Sequence, residues 1–200
     1  MQIDLQERDD VLLLRRSAKG DEDAFAEIYR RYQAPLYRFA LRMTGSAWAA
    51  EEVVQEIFMT LVREPKKYDP QRGALGAFLY GIARNRVLKQ IERAPRELSL
   101  ENTENSPKAQ AYATDPVTPA HWAELRERRE QVRSAVLELP VEFREAIVLC
   151  ELEEMSYQEA ARALECPVGT IRSRLHRGRA LLLAKLEMLR ELPKRANAGH

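Results

Sequence analysis

The stretch from residue 156 to 186 constrains the fold more than any other. It reads as two short helices joined by a tight connection, SYQEAARALECPVGTIRSRLHRGRALLLAKL. In the first part, apolar residues recur at the three-and-four spacing that places them on one helical face: Tyr157, Ala160, Ala161 and Leu164. Pro167 then indicates the start of a second helix, since proline is tolerated in a first helical turn. The pattern predicts a helix-turn-helix.

The second helix of this motif has one apolar and one basic side. Ile171, Leu175 and Leu182 lie on the apolar side, with Gly178 leaving room between them. On a helical wheel of about 100° per residue, the other side or its flanks carry Arg172, Ser173, His176, Arg177 and Arg179. A helix of this kind fits the DNA major groove. We interpret it as DNA-binding, with an ordinary solvated basic helix as the alternative.

Composition restricts the remaining possibilities only in part. The 200 residues allow one or two domains, and a hydrophobic content of 45% is sufficient for packed cores. The net charge of +1 does not argue against a nucleic-acid partner, because the charges are segregated along the chain. No apolar run approaches the roughly 20 residues that cross a bilayer, and the N-terminus lacks a signal-peptide pattern. We expect a cytoplasmic protein without membrane insertion.

The residue types that commonly form metal or catalytic sites do not group together in the sequence. Cys150 and Cys166 have no metal-ligand spacing with His121, His176 or His200, and they indicate a reducing compartment. Neither cysteine lies beside a recognisable base, and the histidines lie far apart without a motif. The sequence predicts no metal, no cofactor, no catalytic residue and therefore no enzyme.

Two helical patterns occupy the N-terminal part of the chain. The first, at 25–43, has an aromatic stripe at core spacing and stops at Gly45. The second, at 48–63, buries its aliphatic residues and turns polar residues to solvent: Glu51, Glu52, Gln55 and Glu56. This polar face is equally compatible with a solvated surface and with a docking surface for another protein.

A basic segment follows. Two prolines and two glycines break the helical pattern at 63–76, which predicts a loop. The loop contains Lys66, Lys67, Tyr68 and Arg72, and the helix predicted at 77–93 contains Arg84, Asn85, Arg86 and Lys89. Cations beside an exposed aromatic ring suit single-stranded nucleic acid, because phosphates are neutralised while bases stack. A solvated face is again the alternative.

Proline and polar residues between these regions divide the chain. Residues 96–121 lack periodicity and predict a flexible linker, which leaves domains at 1–95 and 122–192 and a disordered tail at 193–200. We found no strand pattern. The sequence therefore predicts an all-α protein with two helical domains, the C-terminal one containing the helix-turn-helix.

The order of these parts resembles a known family. The resemblance rests on DAFAEIYRRYQAPLYRFALRMTG at 23–45, AEEVVQEIFMTLVR at 50–63, FLYGIARNRVLKQIER at 78–93 and LPVEFREAIVLCELEEMSYQEAARALECPVGTIRSRLHRGRALL at 139–182. In these stretches the chain is similar to bacterial RNA polymerase sigma factors of the extracytoplasmic-function group. The family often has glycine in the turn before CPVGT, where this chain has Glu165.

The resemblance implies a role for each surface. The helix with Glu51, Glu52, Gln55 and Glu56 would dock on core RNA polymerase, and the segment from Lys66 to Lys89 would capture the melted −10 element of promoter DNA. The duplex −35 element would meet Thr170, Arg172, Ser173, Arg174, His176 and Arg177. The linker would thread through the polymerase, and an anti-sigma factor or other inhibitor would be a further partner.

Two other classes of protein remain as alternatives. One is a free-standing regulator whose helix-turn-helix binds duplex operators without polymerase, and the other is a purely structural adaptor made of helical bundles. The basic loop and the acidic docking helix distinguish them from a sigma factor, because an operator-binding regulator needs neither.

Overall fold

A computed structural model describes residues 2–97 and 119–191 of the protein. Both stretches consist of helices and turns, and the described residues include no β-strand. The all-α prediction is confirmed. No helix within these two stretches combines the length and the apolar character needed to cross a membrane.

The first half, residues 2–97, contains α1 (Gln2–Ser17), α2 (Glu22–Thr44), α3 (Ala47–Arg63) and α4 (Leu75–Glu97), with a short 3-10 turn at Pro65–Lys67. The side chain of Asp21 caps α2 by accepting a hydrogen bond from the backbone N–H of Ala24 at 3.0 Å. The helix ends at Gly45, whose φ of 74° is left-handed and favours glycine. The stop predicted at Gly45 is confirmed.

Apolar side chains from α2, α3 and α4 form the core of this half. The largest fully buried members are Ile28, Leu36, Phe39, Met43, Ile57, Leu75 and Leu79. Each stabilises the fold by about 1.5–3 kcal/mol through removal of apolar surface from water. Helix α1 is attached by a polar contact, in which the buried carboxylate of Asp10 accepts hydrogen bonds from the Tyr32 hydroxyl and from Arg31.

The second half, residues 119–191, contains α5 (Pro119–Leu137), α6 (Val141–Ile147), α7 (Tyr157–Ala163) and α8 (Val168–Glu191), with a π-helical turn at Val148–Leu152. Helices α7 and α8 are the predicted helix-turn-helix. Ser156 and Glu159 form a capping box, in which each side chain accepts a hydrogen bond from the backbone N–H of the other. Ile171 and Leu175 are buried, as their position on the apolar side of α8 predicts.

The two halves pack against each other. Helix α7 lies on α4, and α2 contacts α5, α6 and the π-helical turn. Arg144 of α6 is a polar link between the halves, because its guanidinium donates to the backbone carbonyl of Met43 at 2.6 Å and to that of Leu139 at 3.0 Å. Burial lowers the pKa of Arg144.

The predicted linker is partly helical. Residues 96 and 97 belong to α4, and residues 119–121 belong to α5, although all five were assigned to the linker from sequence. The remaining linker residues, 98–118, lie outside the described residues, as does the tail predicted at 193–200. The division into two independent domains stays a prediction.

Candidate nucleic-acid and protein interfaces

The outer face of α8 collects most of the residues predicted to read duplex DNA. Arg172, Ser173, His176 and Arg177 are exposed, while Thr170 is half-buried beside them. The Ser173 hydroxyl donates to the carbonyl of Thr170 at 2.9 Å. This face is solvent-accessible along its length, and it has the donors and cations that base edges and phosphates accept.

Arg174 is oriented differently from the other candidates on α8. Its side chain is 25% exposed, and its Nη1 lies 3.7 Å from the carboxylate of Glu145 on α6. That nitrogen is buried and makes no hydrogen bond to any described residue. Arg174 therefore lies at the edge of the recognition face, next to a buried carboxylate.

The turn between α7 and α8 has an unusual backbone conformation. Glu165 has a φ of 50°, in the left-handed region that favours glycine. The backbone N–H of Glu165 donates to the carbonyl of Arg162 at 3.2 Å, and that of Cys166 donates to the carbonyl of Ala161 at 3.0 Å. These bonds close the end of α7 and set the angle at which α8 leaves the turn.

The predicted single-strand surface forms one wall of a cleft of about 580 Å³. The loop before α4 is folded on itself, because the Tyr68 hydroxyl donates to the carbonyl of Gly73 at 3.1 Å and the Tyr68 ring packs on Phe78, with centroids 5.5 Å apart. The predicted residues that line the cleft are Lys67, Tyr68, Arg72 and Asn85. Lys66 and Lys89 are exposed but do not line it.

Two further residues of α4 that were predicted to contact DNA are bonded to other residues of the protein. Nε of Arg84 donates to the carboxylate of Glu145 at 2.7 Å, across the junction of the two halves. Arg86 lies 3.2 Å from the carboxylate of Glu56 on α3. The structure thus brings Lys67, Tyr68, Arg72 and Asn85 together and directs Arg84 and Arg86 to other partners.

The predicted docking face on α3 divides into two edges. Glu51 and Gln55 are exposed and line a groove between α2 and α3. Glu52 instead accepts a hydrogen bond from Nε2 of Gln90 at 2.6 Å, and Glu56 pairs with Arg86, so both face α4. The side chains of the first edge are therefore exposed, whereas those of the second edge are engaged by residues of α4.

The groove beside Glu51 and Gln55 is apolar, and sequence reasoning did not single it out. Its floor contains the rings of Phe25, Tyr29 and Phe58, with Tyr29 and Phe58 centroids 4.7 Å apart. Met59 and Val62 border it and are 39% and 57% exposed. The four-residue spacing of Phe25 and Tyr29, and of Phe58 and Val62, is the signal that could have revealed it.

Sequence reasoning also missed the residues that the second half contributes to the cleft. Arg162 and Glu165, from α7 and the turn after it, line the wall opposite Lys67 and Arg72. Glu145 is 1% exposed, and burial raises the pKa of its carboxyl against the opposing effect of Arg84. No local pattern reveals these contacts, because they join residues that are distant in the chain.

Cys150 and Cys166 are free thiols, and burial raises the pKa of Cys150 to about 11. Within the described stretches there is no group of three or more His, Cys, Asp or Glu side chains arranged to hold a metal ion.

Comparison with known proteins finds relatives over both halves. Residues 28–97 match the family model of Sigma-70 region 2, and residues 129–182 match that of Sigma-70, region 4. The chain is 31% identical over 180 residues to the ECF RNA polymerase sigma factor SigW of Bacillus subtilis (strain 168). That match covers 88% of this chain and 96% of the relative.

Two solved structures have a similar fold. One is CnrH in complex with the cytosolic domain of CnrY, with a TM-score of 0.65, 25% identity, and coverage of 90% of this chain and 98% of that chain. The other is the sigma factor RpoE of Bartonella quintana in complex with the anti-sigma factor NepR. Its TM-score is 0.63, with 24% identity and coverage of 82% of this chain and 96% of that chain.

Proposed function

The chain belongs to the extracytoplasmic-function sigma factors of bacterial RNA polymerase, and we propose which of its surfaces binds each partner of such a factor. As a sigma factor it binds core RNA polymerase, directs it to specific promoters and promotes DNA melting. The free-standing regulator is not favoured, because residues 28–97 match Sigma-70 region 2 in addition to the helix-turn-helix match.

The observation that carries the assignment for duplex DNA is the exposed outer face of α8. Arg172, Ser173, His176 and Arg177 share this face, with Thr170 and Arg174 at its edges. We propose that these six residues contact the −35 element. Side chains near the start of a recognition helix reach base edges, and those at its borders reach phosphates.

The first half has the groups needed to hold a displaced strand. In the cleft, Lys67 and Arg72 supply positive charge, Asn85 supplies an amide, and Tyr68 supplies an aromatic side chain. We propose that these residues, with Lys66, Arg84, Arg86 and Lys89, engage the melted −10 element. Stacking and phosphate neutralisation together favour the single strand over the duplex.

For polymerase docking, we propose the groove edge of α3 as the main contact. Glu51 and Gln55 stand beside apolar side chains that a helical partner can cover. Glu52 and Glu56 lie on the neighbouring edge. They contribute indirectly, because their contacts with Gln90 and Arg86 hold α3 against α4. An apolar centre with a polar rim is the usual composition of a protein interface.

We also infer where the protein acts and which further partner it has. Phosphodiester chemistry belongs to the polymerase, so we assign no catalytic centre to this chain. Since polymerase and promoter DNA are in the cytoplasm, we place its action there. An anti-sigma factor is a proposed partner, by analogy with the RpoE–NepR complex.

Run-off transcription tests this function. Purified protein and core polymerase are incubated with genomic promoter fragments, and transcripts are mapped. We expect discrete start sites that core polymerase alone does not use. A protein that retards promoter DNA by itself and adds no start sites to core polymerase would contradict the proposal.

A further inference from the structure

The side chain of Tyr32, on α2, joins helix α1 to the start of α4. Its hydroxyl donates a hydrogen bond to the carboxylate of Asp10, which is 2% exposed. Its ring lies against the backbone of α4, because a Cβ atom added to Gly76 would come within 3.3 Å of Cε1 and 3.8 Å of the hydroxyl oxygen of Tyr32. Asp10 therefore holds a side chain that packs directly on the second residue of α4.

The start of α4 has little support of its own. The backbone N–H of Phe78 donates to the carbonyl of Ala74 at 3.3 Å, and Ala74 occupies the N-cap position. Alanine has no side-chain oxygen that could accept from the first N–H groups of the helix, and it is an unfavourable N-cap residue. Leu75 is buried, whereas Gly76 has no side chain to pack. The position of this helix start therefore depends on neighbours such as Tyr32.

Residues proposed to hold the melted strand lie on both sides of this helix start. Tyr68 precedes it in the loop, and Asn85 follows it on α4. Tyr68 is also a neighbour of Tyr32: burial raises the pKa of Tyr32, Asp10 raises it further, and Tyr68 acts in the same direction. A shift at the start of α4 would change the distance between Tyr68 and Asn85, because one lies before it and the other after it.

Asp10 is itself fixed by a second partner. Nη1 of Arg31 donates to one carboxylate oxygen of Asp10 at 3.0 Å, and the Tyr32 hydroxyl donates to the other. The same guanidinium donates to Asp9 and to Glu27 at 2.6 Å each. Both oxygens of the buried carboxylate are thus satisfied, as buried polar groups generally are. Helix α1 therefore presents Tyr32 with an acceptor in a defined position.

We propose that Asp10 is a positioning residue for the single-strand surface and acts through the Tyr32 hydroxyl on the start of α4. The proposal rests on the function proposed for that surface. Helix α1 contains none of the residues proposed to contact DNA or polymerase, and this contact gives it a part in DNA melting. A surface that is already ordered loses less conformational freedom when the strand binds.

Three substitutions in the full-length protein test this contact. Tyr32→Phe removes the hydroxyl and keeps the ring, whereas Asp10→Ala removes the acceptor. Asp10→Asn keeps one oxygen for Tyr32, because Arg31 still has Asp9 and Glu27 as partners. We expect Asp10→Asn to restore part of what Asp10→Ala loses. A role of Asp10 that depends only on its negative charge predicts no such rescue.

Two measurements follow the effect of these variants. In hydrogen exchange, the amides of residues 65–78 should exchange about fivefold faster or more in Tyr32→Phe and Asp10→Ala, as expected for loss of a hydrogen bond to a charged group. Exchange in α8 should not change. With core polymerase, permanganate modification of melted thymines should fall by a similar factor on a promoter identified by run-off transcription. Binding to core polymerase should be unaffected, because neither residue lines the groove beside α3.

The matched control is Ser46→Ala. It removes the side chain that caps α3, at the opposite end of that helix from the loop. This variant should lower the stability of the first half without faster exchange at residues 65–78 and without loss of melting. If circular dichroism shows that Asp10→Ala is unfolded, Tyr32→Phe decides the question, since it adds no volume and leaves Asp10 bonded to Arg31.

The outcomes separate this inference from the proposed function. Parental exchange and melting in folded Tyr32→Phe, or the same changes in Ser46→Ala as in Tyr32→Phe, would overturn the inference. A parent protein that gives core polymerase no new start sites would instead contradict the proposed function. Hydrogen exchange in the free protein would still show whether Asp10 and Tyr32 order the loop.

Discussion

Gly178 of α8 lies directly against Ile147 of α6. A Cβ atom at Gly178 would come within 3.0 Å of Cγ1 of Ile147 and 3.4 Å of Cβ of Phe143. Helix α6 therefore limits how closely α8 can approach it. The absence of a side chain at Gly178 allows the two helices to pack closely at this point. The recognition face on the other side of α8 depends on this packing.

Replacement of Gly178 by leucine should destabilise the protein by roughly 1–3 kcal/mol, because the new side chain overfills the space between α6 and α8. Urea unfolding followed by circular dichroism measures the change. Gly169→Ala is the control in the same helix, since a Cβ there meets nothing within 4 Å. It should gain up to about 1 kcal/mol from helix propensity. Equal stability of Gly178→Leu and the parent would show that the contact is not tight.

The left-handed conformation of Glu165 predicts a substitution that stabilises the protein. Its φ of 50° costs an L-residue about 1–2 kcal/mol, and part of that cost is removed by glycine. After allowance for the greater freedom of glycine in the unfolded chain, Glu165→Gly should stabilise the protein by roughly 0.5–1 kcal/mol. Glu187→Gly, in the interior of α8, should instead destabilise it by about 1 kcal/mol. A loss of stability in Glu165→Gly would show that the backbone at Glu165 is not strained.

The two edges of α3 should respond differently to mutation. Gln55→Lys places a charge at the open groove and should weaken binding to core polymerase at least tenfold with little change in stability, because Gln55 is exposed. Glu52→Lys should weaken binding too, but it also removes the acceptor of Gln90 and should lower the melting temperature. Lys19→Glu, an exposed change outside α3, is the control. Wild-type binding by Gln55→Lys would exclude the groove edge from docking.

The thiol of Cys150 should be slow to react at neutral pH. Burial raises its pKa to about 11, so the reactive thiolate is scarce below that value. In a Cys166→Ser protein, the rate of alkylation by iodoacetamide should rise about tenfold per pH unit between pH 7 and 10. The same protein unfolded in urea should level off near pH 9. A rate that levels off near pH 9 in the folded protein, as in the unfolded one, would disprove the shift.

Local signals account for what could be predicted from sequence. The spacing of Ala160, Ala161 and Leu164, the proline at 167 and the capping residue Ser156 act over a few residues, so they locate α7 and α8 without knowledge of the fold. The stop at Gly45 is of the same kind. The exposed basic face of α8 follows directly from the helical wheel.

Contacts between distant residues account for what could not be predicted. Glu145 and Arg84 are 61 residues apart, and nothing near either one indicates the other. The assignment of Glu51, Glu52, Gln55 and Glu56 to one surface was too coarse for a related reason. Residues four positions apart share an edge of the helix, so Glu51 lies with Gln55 and Glu52 lies with Glu56. The two pairs are offset by one residue and lie on adjacent edges, and only the neighbours α2 and α4 decide which edge remains open.

The final prediction separates base reading from phosphate contact on α8. Arg172 is exposed at the centre of the recognition face, whereas Arg174 lies at its edge beside Glu145. If Arg172 makes a bidentate contact to guanine, Arg172→Ala should cost roughly 1–3 kcal/mol and relax preference at one base pair. Loss of a phosphate contact in Arg174→Ala should weaken binding evenly across sequences and reduce the salt slope by about one.

Transcription by the reconstituted polymerase from a library randomised across the upstream promoter element distinguishes these outcomes. Thermal unfolding must first show that Arg174→Ala is folded, because the substitution removes a counter-charge from buried Glu145. Lys185→Ala, a cationic position further along α8 that pairs with Glu138, controls for loss of charge. We expect a flattened preference at a single position for Arg172→Ala and an unchanged profile for the other two proteins. An unchanged base profile in Arg172→Ala would remove it from base recognition, because a side chain that reads a base pair cannot be deleted without altering the preference at that pair.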